Sequence, residues 1–267
     1  MSEQEMRQCG GVANRALVVP VQIDRKGSYP LFLDTGAGRT VVSPSVAADL
    51  GLEIIGSETR RGVGGEIELK LARTKTLAVD GHEVDHESIG ISDVPERLCG
   101  DSVVGNLGHD LLQRFSVTID YGEGAASFRR SALSIGGAIP FHIAAGAKPL
   151  ILLDVQIGAS GPVTFAVDTG AGGTVIAPAL AASLGLTEGQ RVLCAGVGGS
   201  VEGCLAAEPV RVELSSTTEV DIQPLILDMF DMLKAGTGEN VVGLIGHDVL
   251  SRHRVTIDYL GARLSLE

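Results

Sequence analysis

Three observations predict a mostly-β fold of two β-rich lobes about a pseudo-two-fold axis, with short helices. The chain is written twice, its apolar runs are short and bounded by turn residues, and its composition favours small side chains. The 267 residues include 36 glycines, 6 phenylalanines, 3 tyrosines and no tryptophan, with 44% hydrophobic and 20% charged. That length supports one large core or two small ones, in which small residues fill much of the space.

The repeat sets the organisation. At an offset of 134, residues 18–65 align without a gap on 152–199 with 21 identities in 48 positions, including Val21-Gln22-Ile23 on Val155-Gln156-Ile157. A second block, 103–121 on 241–259, matches at 13 of 19 positions. Two copies are too few for a solenoid, whose repeats need neighbours on both sides. A fused isologous pair is the simpler solution. The expected divisions are an N-terminal tail over 1–11, lobes over 12–130 and 149–267, and a Gly/Ala-rich linker over 131–148.

Strands are predicted where short apolar runs end in Gly, Pro or Asp, as at Ala16–Val19, Pro30–Leu33, Val117–Ile119 and Val255–Ile257. Helix is expected only briefly. Ser43-Pro44 caps and opens a segment that Gly51 closes, and Pro178 to Gly185 repeats it. A second short helix is predicted to begin at Asp110 and at Asp248, each read as an N-cap. This gives two small helices per half.

The formal charge of −12 disfavours nucleic-acid phosphates and anionic lipid as partners. The four cysteines (Cys9, Cys99, Cys194, Cys204) lack metal-ligand spacing and are expected to be free thiols in a reducing compartment. The first residues show no apolar signal segment and no stretch suits a membrane span, which suggests a cytoplasmic location.

The repeated run Asp34-Thr35-Gly36-Ala37-Gly38 and its twin Asp168-Thr169-Gly170-Ala171-Gly172 carry the chemistry. An Asp at the end of an apolar run is costly to ionise unless amides and hydroxyls return to it, which a Thr-Gly turn provides. A lone motif of this kind is a capped turn. Two on a pseudo-two-fold axis can face each other, and carboxylates a hydrogen bond apart share one proton, leaving one acid and one base. Such a pair can activate a water for peptide hydrolysis without metal, cofactor or nucleophilic side chain.

These motifs, with Gly62-Val63-Gly64-Gly65 and Val103-Val104-Gly105-Asn106-Leu107-Gly108-His109-Asp110, resemble the retropepsin-like aspartic proteases, especially their bacterial relatives. The resemblance covers both halves. It implies that Asp34 and Asp168 are the catalytic pair, that Thr35 and Thr169 exchange hydrogen bonds across the axis, and that Gly36 and Gly170 place amides on the carboxylates. The runs Gly62, Val63, Gly64, Gly65 and Gly196, Val197, Gly198, Gly199 resemble flap tips over an extended polypeptide, one per half as in the retroviral dimers. Leu107-Gly108 and Ile245-Gly246 match the family's supporting element, and His109 and His247 are read as structural. Ala37 and Ala171 stand where many acid-acting relatives carry a hydroxyl, so the pair is expected to hold its proton to higher pH. A monomer with an internal pseudo-dimer follows. The competing expectations are a peptide-binding scaffold that does not cut, and an actin-like ATPase with two phosphate loops.

Overall fold

The computed structural model describes residues 4–8, 15–134, 136–215 and 218–267. In the N-terminal half the strands Arg15–Ile23 and Lys26–Leu33 pair antiparallel through a hairpin, burying Leu17, Val19, Leu31 and Leu33. Gly105–Leu107 then inserts parallel to Leu31–Leu33, and Val41–Val42 pairs antiparallel on its other side. Strand 26–33 and strand 41–42 are therefore not neighbours. The chain between them, residues 34–40, must arch over the end of the inserted strand.

The C-terminal half repeats this wiring. Val163–Val167 lies beside parallel Gly243–Ile245, which is followed by antiparallel Val175–Ile176, and residues 168–174 form the second arch. Each half forms a ten-stranded sheet, and the strand orders correspond one for one. A third sheet of five strands joins them: Ser116–Asp120 pairs antiparallel with Arg254–Asp258, so Thr118 faces Thr256 with their hydroxyls 3.0 Å apart at the pseudo-axis. One continuous apolar core runs through both halves and this joining sheet. This is the mostly-β, two-lobe arrangement expected, and not the architecture of an actin-like ATPase.

Several local expectations need correction. Pro44–Leu50 is helical with Ser43 Oγ accepting from Val46 N and Gly51 left-handed at φ 65°, as its residues suggested, and Pro178–Ser183 matches it without a side-chain cap. The next helices begin at His109 and His247 with Gly108 and Gly246 at the cap positions. Asp110 and Asp248 are thus not N-caps. A third helix per half, Val94–Cys99 and Phe230–Thr237, brings the described helices to six. Residues 5–8 of the expected tail pair as a strand with 15–18, and within the expected linker Ile139–Pro140 and His142–Ile143 join sheets. Cys99 is disulfide-bonded, whereas Cys194 and Cys204 are free; Cys9 lies outside the described residues. The expected set of four free thiols, one ground for a reducing compartment, therefore fails at Cys99. No described helix is long and apolar enough to cross a membrane.

Candidate active site

Each arch brings an Asp to the axis. Asp34 N donates to Leu107 O at 3.1 Å and Asp168 N to Ile245 O at 3.0 Å, so each residue leaves its strand still anchored to the inserted one. The chain then turns back: Gly36 N donates to Asp34 Oδ1 at 3.0 Å and Gly170 N to Asp168 Oδ1 at 2.8 Å, with Ala37 and Ala171 amides closing on the Asp carbonyls. Glycine is required at both turns by close approach. A Cβ on Gly36 would stand 2.2 Å from Asp168 Oδ2, and one on Gly170 2.8 Å from Asp34 Oδ1.

Two buried threonines lock the arches together. Thr35 Oγ1 donates to Val167 O at 2.8 Å and accepts from Thr169 N at 3.0 Å; Thr169 Oγ1 donates to Leu33 O at 2.9 Å and accepts from Thr35 N at 3.1 Å. Four bonds thus cross the axis and leave neither hydroxyl unsatisfied. They hold each carboxyl group against the glycine of the opposite arch, Asp168 beside Gly36 and Asp34 beside Gly170, so that the two acids face each other across the axis. Burial and the neighbouring Asp168 push Asp34 up to about 8, because two close carboxylates cannot both ionise, and burial raises Asp168 as well. The amides of Gly36 and Gly170 pull in the opposite direction without prevailing.

The support beneath is also built by close approach. A Cβ on Gly108 would lie 2.3 Å from the Arg39 backbone, and one on Gly246 2.4 Å from Gly173 O, so the Leu107-Gly108 and Ile245-Gly246 pairs let each arch rest on the inserted strand. Asp110 takes up the arch's far end, accepting from Thr40 N at 2.8 Å and Thr40 Oγ1 at 2.6 Å, with His86 Nε2 at 3.2 Å from its other oxygen. Burial favours its neutral form, but the bonds from His86 and Thr40 outweigh that and hold Asp110 below the usual carboxylate range. Asp248 binds Thr174 Oγ1 at 2.8 Å in the matching place. His109 and His247 stack edge-on against tyrosines of the opposite half, Tyr259 at 5.6 Å and Tyr121 at 5.3 Å between ring centroids. They brace the lobes against each other. Burial and the nearby Asp charges raise both tyrosines, so these phenols stay neutral.

The hairpins Ile54–Gly62/Gly65–Arg73 and Glu188–Gly196/Gly199–Ala206 project over the dyad, closing on the pairs Gly62–Gly65 and Gly196–Gly199. Their tips meet. Gly198 N donates to Val63 O at 2.9 Å, and a Cβ on Gly64 or Gly198 would fall 2.5 or 2.4 Å from the opposing backbone. Beneath them a cavity of about 410 Å³ lies on the Asp168 side, bordered by Val63, Leu193, Leu205, Leu225 and Leu244, and one of about 370 Å³ lies on the Asp34 side, bordered by Arg39, Arg60 and Arg61. Val197 lines both.

The sequence reading missed Lys148, which lines both cavities from the linker. Burial lowers its pKa while Asp168 and Asp34 raise it, and its charge lowers both Asp values in return. A single lysine in Ala144-Ala145-Gly146-Ala147-Lys148-Pro149 was the available signal. The helices at 94–99 and 230–237 were also missed, and Leu98 and Met232 from them line the cleft.

Solved structures share this architecture. The aspartic proteinase from Irpex lacteus aligns over 98% of this chain and 96% of its own at 14% identity, with a TM-score of 0.52. Conglutin gamma, a basic 7S globulin from lupine seeds, aligns over 98% of this chain and 93% of its own at 12% identity, with a TM-score of 0.54. These likenesses establish fold, which does not by itself determine activity. No curated protein sequence gives a significant match. The aspartyl protease family model matches once in each half, over residues 19–111 and 153–249, and so this chain, with its paired Asp-Thr-Gly arches, belongs to the aspartyl protease family.

Proposed function

We propose that the protein is an aspartic endopeptidase that hydrolyses peptide bonds in extended polypeptide, with Asp34 and Asp168 as the catalytic residues. The observation that carries this reading is the placing of two carboxyl groups, one from each half, against the opposite arch's glycine, each held by a glycine amide of its own arch. With one proton between them, the ionised Asp draws a proton from a water while the protonated Asp donates to the scissile carbonyl oxygen. Water attacks the carbonyl carbon, and the tetrahedral intermediate collapses as a proton passes to the departing amine. Thr35, Gly36, Ala37 and their counterparts Thr169, Gly170 and Ala171 hold this geometry without taking part in it.

The flap residues Gly62, Val63, Gly64, Gly65 and Gly196, Val197, Gly198, Gly199 cover the substrate, whose entry requires the tips to part. Their amides then reach peptide carbonyls, and Val63 and Val197 press on side chains beside the scissile bond. One chain supplies both carboxylates, so a monomer suffices and polypeptide is the only partner the reaction needs. The reaction also needs no cofactor.

The test is hydrolysis of a denatured protein and a peptide library by the wild type, Asp34→Asn and Asp168→Asn, with and without a pepstatin-type inhibitor. The wild type is expected to cut and to be inhibited, and both variants to be inactive. A fold shared with a seed globulin makes hydrolysis the necessary readout, because peptide binding alone would also fit a scaffold that does not cut. Binding without cleavage by the wild type would replace this reading with that one.

A further inference from the structure

The two cavities flanking the dyad differ in charge more than in size. Beside Asp168 the charged residues are the dyad and Lys148 on otherwise largely apolar walls, whereas beside Asp34 the arginines Arg39, Arg60 and Arg61 join Lys148 in lining about 370 Å³. The repeat shows that this is a property of one half: at the offset of 134 the three arginines correspond to Gly173, Cys194 and Ala195. In a chain of formal charge −12, a cluster of four cations in the cleft calls for an anion.

The neighbouring acids do not supply enough of one. Arg39 Nε and Arg60 Nε both bond the same oxygen of Glu58, at 2.9 and 2.8 Å, so one carboxylate serves two guanidinium groups. Arg61 pairs with Glu66 at the exposed rim. Lys148 faces a dyad that carries one negative charge when it holds one proton, and the nearby Arg60 charge further disfavours the Lys148 ammonium. One positive charge is left over beside Asp34. Arg60 and its partners are only a quarter to a third exposed, so an ion pair formed there is less weakened by solvent than one at the open surface. Arg60 also reaches the edge of the catalytic arch, its Nη1 standing 3.8 Å from where a Cβ on Gly38 would be.

We infer that this chamber binds a carboxylate of the substrate between Arg60 and Lys148, while the opposite chamber takes an apolar side chain. Asp or Glu side chains, or the free C-terminus of a short peptide, supply the same group. The inference names the substrate class for the hydrolysis proposed above and rests on that reading. Arg60 and Lys148 are its specificity-determining residues.

The test uses peptide series with Glu exchanged for Gln at each position around an apolar residue, made with amidated and with free C-termini. Cleavage by the wild type is measured as kcat/KM, and binding to Asp34→Asn by fluorescence anisotropy. A Glu peptide is expected to exceed its Gln partner about ten-fold at one position, as for a charge-assisted hydrogen bond in a partly buried site. The ratio should shrink as salt rises. If instead peptides with a free C-terminus exceed their amidated partners whether they carry Glu or Gln, the carboxylate is the chain end and the enzyme acts near termini. Arg60→Gln should bring the ratio towards one, and Arg60→Glu should favour a Lys peptide at that position, a gain that misfolding cannot imitate.

Cleavage and binding that ignore both Glu against Gln and free against amidated C-termini overturn the inference and leave the protease reading standing. Absence of any cleavage, with Glu-selective binding that Arg60→Gln removes, overturns the protease reading and supports the chamber.

Discussion

The two halves of this chain agree strand for strand yet differ at the walls of the cleft they enclose. Both arches, both threonine locks and both glycine-tipped hairpins are kept, because each contributes to a centre lying on the pseudo-axis. Arg39, Arg60 and Arg61 have uncharged counterparts, because they lie off that axis and contact one side only. Asp110 shows the same division: its contact with Thr40 recurs as Asp248 with Thr174, but among the described residues the His86 contact has no counterpart in the second half. On the proposed reading, the shared proton maintains the symmetry and the substrate relaxes it.

The sharpest way to break the symmetric part is at the dyad. Asp34→Asn and Asp168→Asn are each expected to lower kcat by at least about 10³-fold, and by similar factors, since the pair acts as a unit. Steady-state hydrolysis checks this. A variant retaining most of the activity would assign both roles to one carboxyl group. Gly36→Ala and Gly170→Ala come next. The added methyl group lies 2.2 Å from one carboxylate and 2.8 Å from the other, so both should lose about 10²-fold or more in kcat, with Gly36→Ala the worse.

The threonine lock is tested by stability. Thr35→Val removes a donor to Val167 O and an acceptor for Thr169 N, leaving both partners buried and unpaired. At about 1–3 kcal/mol for each, a loss of about 2–6 kcal/mol in urea unfolding is expected, matched by Thr169→Val. The asymmetric support gives a smaller contrast. Asp110→Asn, which disturbs two bonds from Thr40 and the contact with His86, should cost about 1–2 kcal/mol more than Asp248→Asn.

Much of this arrangement was legible because duplication turns weak local signals into strong ones. A lone Asp-Thr-Gly is a turn and a lone GVGG a hairpin, but repeated at one offset they locate an axis. The same signals misled at Asp110 and Asp248, where an acid beside a helix start suggested a cap while the side chain instead holds the end of the arch. Helices of six and eight residues at 94–99 and 230–237 are too short to establish a period, although Phe230, Leu233 and Thr237 are buried in one. Lys148 lies in the unrepeated linker, so no comparison of halves marks it, and the spacing of the cysteines gives no hint that Cys99 is bonded. Nothing in the spacing marks Tyr121 and Tyr259, yet the duplicated Val-Thr-Ile-Asp-Tyr carries each against a histidine of the opposite half and within reach of the dyad's charge.

The pH dependence of hydrolysis tests the shared proton most directly. Burial raises both acids and the Asp168 charge raises Asp34 further, so the protonated Asp is retained through neutral pH and lost as pH rises through about 8. Lys148 favours the ionised form, so Lys148→Met should move the alkaline limb upward. For the wild type the account predicts a kcat/KM profile that is active from mildly acidic to neutral pH and falls near pH 8. A maximum below about pH 3, or full activity persisting well into the alkaline range, would contradict a pair of carboxyl groups holding one proton between them.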